Sequence, residues 1–300
     1  MILLAGCLPP DRSTLVALCD GLAASPEVAA RLQEATVEPF DGTWTDAERE
    51  ALGCAADLPA GDNLARRMQL PEFHAVAATG SVAVASPMHA TLGLTDLTPL
   101  DPAECALSED DSRELCDAAD THLLTEGVRF QFVETTQWLV LSDRGVDVRT
   151  ERPEWMIGES LRPSLPHGAD ARTVERWMNE LQMLLYTHRV NIRREDHGLP
   201  PINVVWLWGF SAPGAGNSTG TTNVPDTRWL AAIRRGDVPA WQRAWIDIAP
   251  ALLVADTIIL GDHRPRFRLT PNAPTLLTRV MSKFRGKPRL GDVLFALQAK

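Results

Sequence analysis

Apolar positions recur most regularly between residues 172 and 210. Val174, Trp177, Met178, Leu181, Leu184, Leu185 and His188 fall at i, i+3, i+4, i+7, i+10, i+11 and i+14, the spacing of one face of an α-helix. Asp170 stands where an N-cap is expected. Pro200 and Pro201 then forbid further helix, and Val204-Val205-Trp206-Leu207-Trp208 is a short apolar run closed by Gly209. A run that is apolar at every position predicts a strand covered on both faces, and hence a central strand of a parallel sheet.

The rest of the chain yields to the same reading. Residues 1–6 form a strand, Thr45-Asp46-Ala47-Glu48 is a capping box opening a short helix to Leu52, and residues 63–68 suit another helix. Residues 74–88 hold two apolar runs parted by Thr79-Gly80-Ser81, either a hairpin or two strands joined by a tight turn, and 88–97 continue as a strand. Ser108 starts a helix carrying Leu115, Cys116, Ala119, Leu123 and Leu124, and Gly127 closes it at C′. Residues 128–132 alternate, and 137–141 are the expected hairpin partner.

Residues 150–170 are irregular, with Pro153, Pro163 and Pro166. Residues 211–223 predict a mobile lid or a disordered loop. Their Gly214, Gly216 and Gly220 do not make a phosphate loop, because no Gly-Lys-Ser/Thr follows and no helix begins there. Asp226 caps a helix through Arg234, residues 239–253 make another with Trp241, Trp245 and Ile248 on one face, and 255–260 are a second buried strand. The segments 273–283 and 289–298 are amphipathic and expected to be helical. Strands separated by helices, with a β-rich block between, predict an α/β fold. Its mostly parallel sheet core, flanked by helices, occupies 1–74 and 151–300, with an inserted α+β subdomain over 75–150.

Three hundred residues with 45% hydrophobic content suffice for one large core, or for a core domain with a smaller insertion. The net charge of −10 repels phosphate backbones and anionic lipid, which argues against nucleic acid or membrane as a partner. Arg264, Arg266 and Arg268 alternate and therefore share one side of a strand, where a solvated face is expected. The five cysteines, at 7, 19, 54, 105 and 116, have neither disulfide-framework nor zinc spacing and fit a reducing compartment. Too few residues precede Cys7 for a lipidation signal, so that start reads as a strand, and no run approaches the ~20 apolar residues that span a bilayer. A soluble, cytoplasmic protein is expected.

Between the organising helix and strand lie His188, Arg189, Asn191, Arg193, Arg194, Glu195, Asp196, His197 and Asn203. The simplest account is a solvated connection with caps and surface ion pairs. The functional account gives Arg193 and Arg194 to an anionic group as planar donors, oriented by Asn191 and Asn203, with Trp206 and Trp208 walling a pocket from one strand face. His74, His122 and His167 have no neighbours at ligand spacing. Neither Gly-x-Ser-x-Gly nor His-Glu-x-x-His occurs, and no catalytic residue is assigned.

The run from Trp177 to Gly209, with Leu-Leu-x-x-His-x-Val-Asn, an arginine pair, Gly-x-Pro-x-Asn and Trp-Leu-Trp-Gly, resembles the archaeal-type cofactor-independent phosphoglycerate mutases. It is still more similar to the bacterial Rpf-type proteins (regulation of pathogenicity factors), divergent relatives of those mutases. The likeness is strong over about 35 residues and weak but collinear elsewhere, through Met1–Gly6, Ser86-Pro87-Met88-His89 and Trp138. The chain departs at Arg189, where the mutases usually show proline, and after His89, where the Rpf-type proteins are arginine-rich.

The resemblance implies an alkaline-phosphatase-like core and an inserted domain. It also implies a divalent metal held partly by an Asp-His pair after a late core strand, here Asp262-His263. The family's aspartate after the first strand is replaced by Leu4-Ala5-Gly6-Cys7-Leu8-Pro9, and residues 224–254 contain no histidine for its Asp-x-x-x-His pair. The expectation is a catalytically silent, mutase-like regulatory or ligand-binding protein. It needs no cofactor and takes a small anionic ligand or a protein partner. The alternative is a phosphomutase or phosphatase that uses a divalent metal such as manganese or zinc.

Overall fold

The computed structural model describes residues 1–8, 12–19, 22, 26–41, 44, 46–47, 50, 61, 64, 79–93, 96–211, 228–261, 266–272 and 289–298. The capping box, the helix at 63–68, the apolar run at 74–78, the loop at 212–223, Asp226, Asp262, His263 and the segment 273–283 lie largely or wholly outside the described residues. The strands are β1 Ile2–Ala5, β2 Thr36–Pro39, β3 Ser81–Met88, β4 Ala90–Leu92, β5 Leu97–Pro99, β6 Val128–Glu134, β7 Gln137–Ser142, β8 Val204–Trp208, β9 Ile258–Gly261 and β10 Arg266–Thr270. The helices are α1 Arg12–Cys19, α2 Pro26–Gln33, α3 Glu109–Leu123, α4 Ala171–Tyr186, α5 Arg189–Asp196, α6 Arg228–Arg235, α7 Val238–Leu252 and α8 Leu290–Gln298. The chain divides into two compact units, Met1–Leu52 with Thr221–Lys300, and Gly53–Gly220.

The first unit is a mixed sheet of order β1-β9-β10-β2. β1 and β9 run parallel, with Leu3 opposite Ile259 and Ala5 opposite Gly261, whereas β10 is antiparallel to both β9 and β2. The core collects Leu4, Leu15, Leu32, Trp241, Trp245, Ile258, Leu260 and Leu294 from the sheet, α1, α2, α7 and α8. Trp229, Trp245 and Trp241 stack edge to face, with centroids 5.3 and 6.0 Å apart. Arg266 is buried and Arg268 pairs with Glu50, so the arginine face of β10 is partly enclosed instead of simply solvated.

The second unit is built on an antiparallel sheet of order β6-β7-β3-β8, with β4 and β5 as a separate hairpin. Both of its faces are covered. Ala83, Ala85, Trp138, Val140, Val205 and Leu207 meet α3 and α4, while Val82, Val84, Leu139, Leu141, Trp206 and Trp208 meet Met156 and Leu161 of the irregular segment. The α3 helix matches its sequence signals: the Ser108 hydroxyl accepts from the Asp111 N–H at 3.1 Å, and Gly127 closes the turn at φ +71°.

Three expectations need correction. The sheets are not mostly parallel: the first is mixed and the second antiparallel, and β8 lies at the end of the described strand order, not in a parallel centre. The unit boundaries fall at 52/53 and 220/221, so residues 151–220 pack with 75–150. Asp170 occupies the N-cap position of α4 without capping it, because its carboxylate accepts from the Asp147 N–H at 2.8 Å and from Arg144 at 3.1 Å. Leu181 is fully buried on α4 and Asn179 is exposed. In urea unfolding followed by far-UV circular dichroism, Leu181→Ala should therefore cost about 2–5 kcal/mol and Asn179→Ala less than about 0.5 kcal/mol.

Candidate functional site

The polar cluster forms the joint between α4, α5 and β8. α4 stops at Thr187, and His188 takes an extended conformation at φ −71°, ψ 137°, as the N-cap of α5. Its Nδ1 accepts the Val190 N–H at 3.3 Å. The Asn191 carboxamide is buried and donates to the Leu185 and Ile202 carbonyls at 2.8 and 2.7 Å, while its Oδ1 accepts the Ile202 N–H at 2.8 Å. One side chain thus ties the end of α4 to the approach to β8. Asn203 does the same for β4, accepting from the Ala90 N–H at 2.8 Å and donating to the Ala90 carbonyl at 2.9 Å.

The two arginines differ in kind. Arg194 is 2% exposed, and its guanidinium donates to the carbonyls of Pro200, Ala106 and Cys105. Ala106 adopts φ +45°, a left-handed conformation unusual for alanine, and its carbonyl accepts from the Arg194 guanidinium at 3.3 Å. Arg193 is half exposed and bridges Asp111 at 2.9 Å and Glu114 at 3.0 Å on α3, and Arg189 also pairs with Glu114. Desolvation raises the Glu114 pKa, but hydrogen bonds from Arg193 and Arg189 outweigh it and hold the carboxyl below its usual range. The Arg193 pKa is raised by the same carboxylates, Glu114 before Asp111.

Asn191, Arg193 and Arg194 therefore share one joint, Asn203 lies on its β4 side, and the tryptophans are elsewhere. Trp206 and Trp208 lie on the face of β8 that packs with Met156 and Leu161. Their indole N–H groups reach the Glu151 carbonyl at 2.8 Å and the Ser86 hydroxyl at 3.0 Å. The sequence reading missed α3 as the opposing wall. A groove of about 460 Å³ runs between it and the joint, lined by Glu114, Asp117, Ala118, Thr121, His122, Leu184, His188 and Arg189. The signal was available, since Asp111, Glu114 and Asp117 recur every three residues along a helix facing two arginines.

Asp262 and His263 lie outside the described residues, but the ends of the strands beside them are defined. The Gly6 N–H donates to the Gly261 carbonyl at 2.8 Å, and the buried Cys7 thiol donates to the Leu4 carbonyl at 3.3 Å. Gly6 has φ +76°, and a Cβ there would stand 2.7 Å from the Leu230 backbone nitrogen. Among the described residues, no three His, Cys, Asp or Glu side chains are placed to hold a metal ion. Also among them, no helix is long and apolar enough to cross a membrane.

The chain is similar to cofactor-independent phosphoglycerate mutases. It is 35% identical over 101 residues to 2,3-bisphosphoglycerate-independent phosphoglycerate mutase 2 of Methanothermobacter thermautotrophicus, a stretch covering 33% of this chain and 25% of that protein. It is 30% identical over 105 residues to the corresponding enzyme of Methanosarcina mazei, covering 34% and 26%. The matched stretch thus spans about a quarter of each relative. No protein-family model matches the chain. Among solved structures, the cofactor-independent phosphoglycerate mutase of Thermoplasma acidophilum aligns with a TM-score of 0.36 at 13% identity, over 99% of this chain and 98% of that one. The similarity rests on the sequence matches.

The joint yields a prediction that separates its two arginines. Arg194→Ala strands three carbonyl acceptors in a buried site and should cost about 3 kcal/mol or more, whereas Arg193→Ala removes a surface bridge and should cost at most about 1 kcal/mol. Urea midpoints of the two variants, compared with wild type, check the difference.

Proposed function

We propose that this chain is a mutase-like protein that performs no phosphoryl transfer and acts by binding, in a regulatory role like that of the Rpf-type proteins. The observation that carries the reading is the end of β1. Phosphoryl transfer of the mutase kind needs metal-held charge and a nucleophile at the ends of its core strands. Here position 6 is closed to any side chain by Leu230, and position 7 is a thiol turned back onto its own strand. The described donors do not fit a two-metal centre, so no step is assigned to a metal.

Binding is assigned to the second unit, where the exposed cations of the joint are Arg189 and Arg193. Both already pair with Glu114, so a small anionic ligand would have to displace that carboxylate, while a protein partner could exchange pairs with it.

The assay is direct. Purified chain, supplied in turn with manganese, zinc, cobalt or magnesium, should turn over neither 3-phosphoglycerate nor a chromogenic phosphate ester above background. Turnover that disappears in Asp262→Ala would overturn the reading in favour of a metal-dependent enzyme.

A further inference from the structure

One wall of the groove beside α3 carries an imidazole that gains charge as pH falls, and the same side chain is the cap of a helix. His188 lines the groove and accepts the Val190 N–H through Nδ1, which requires the neutral tautomer with its proton on Nε2. We propose that the α4–α5 joint is an acid-triggered hinge, in which protonation of His188 uncaps α5 and frees its first turn from α3.

The chemistry follows from where the proton goes. The vacant lone pair is on Nδ1, so an added proton occupies the site that accepts the Val190 N–H. The imidazolium then has two donors and no acceptor. Val190 is fully buried, and its N–H loses its partner. The new positive charge also stands at the N-terminus of α5, where the helix dipole opposes it. The imidazolium is drawn to Glu114, the carboxylate that holds Arg189, at the first helical position, and Arg193. A swap of partners therefore releases the first turn.

The charged groups around His188 set the direction. α3 presents Glu114, Asp117 and His122 to the groove, α5 presents Arg189 and Arg193, and α4 contributes Leu184, which carries no charge. Burial depresses the His188 pKa below 6.5, and the two arginines depress it further against the opposing pull of Glu114. Because the folded value lies below the unfolded one, the capped joint is fully stable above pH 6.5 and loses stability as pH falls through the folded value. The opening stays local. Asn191 and Arg194 hold the remainder of α5 through backbone groups, which do not titrate in this range.

The test is amide hydrogen exchange on the full chain at about pH 7.5 and about pH 5, corrected for intrinsic rates. Protection of the Val190 and Ile192 amides should fall about tenfold or more at the lower pH while that of Leu181 holds. His188→Ser keeps a capping oxygen but cannot titrate, and should abolish the response; His122→Gln should preserve it. An unchanged wild-type protection, or an equal loss in His188→Ser, would overturn the hinge. Should His188→Ser not fold, NMR titration of wild type decides. The Val190 amide and the His188 ring must share one midpoint below 6.5, and independent midpoints overturn the proposal.

Discussion

The second unit depends on burying both faces of one antiparallel sheet. Neighbouring side chains point to opposite faces, so every residue of β3 and β8 is enclosed and the strands lose the polar alternation that usually marks an antiparallel sheet. Enclosure on this scale imposes polar obligations. Trp206 and Trp208 need acceptors and find Glu151 and Ser86, and Trp138 donates to Ser112, which in turn donates to the Thr135 carbonyl. The irregular segment at 151–161 is therefore part of the structure, because it supplies both apolar cover and an acceptor for the sheet's second face.

That same enclosure explains what the sequence disclosed and what it concealed. The helices α3, α4 and α7 and the β6–β7 hairpin were legible because an amphipathic element records its own orientation. A fully apolar run such as Val204–Trp208 records two-sided cover and says nothing about the direction of its neighbour. Reading it as parallel misplaced β8 and, with it, the boundary at 150. The polar joint was legible as a cluster but not as a set of partners. Asn191 and Arg194 answer backbone carbonyls, whose positions no residue pattern reveals, and Glu114 reaches the joint from a helix about 75 residues earlier.

The joint itself shows how density of polar residues can mislead. Asn191 and Asn203 use both ends of their amides on main-chain groups, and Arg194 is enclosed among carbonyls, so the innermost members of the cluster are structural fasteners. Of its cations, Arg189 and Arg193 face solvent with charge that a visitor could meet, and they are held in place by α3. Position 189 has a further meaning. The first residue of a helix has no need of its N–H for the helix ladder, which makes proline comfortable there. Arginine at that site gives up a rigid start to the helix and gains a cross-link to α3.

Gly6 carries a consequence for how this sequence can change. The closeness of Leu230 to the place a β-carbon would occupy, together with a left-handed backbone, means that a carboxylate at position 6 requires α6 to retreat and the turn to be rebuilt at the same time. A lone substitution at position 6 therefore strains the backbone and the α6 contact together, and a smaller residue in place of Leu230 relieves the side-chain contact but neither the clash with the backbone nitrogen nor the left-handed turn.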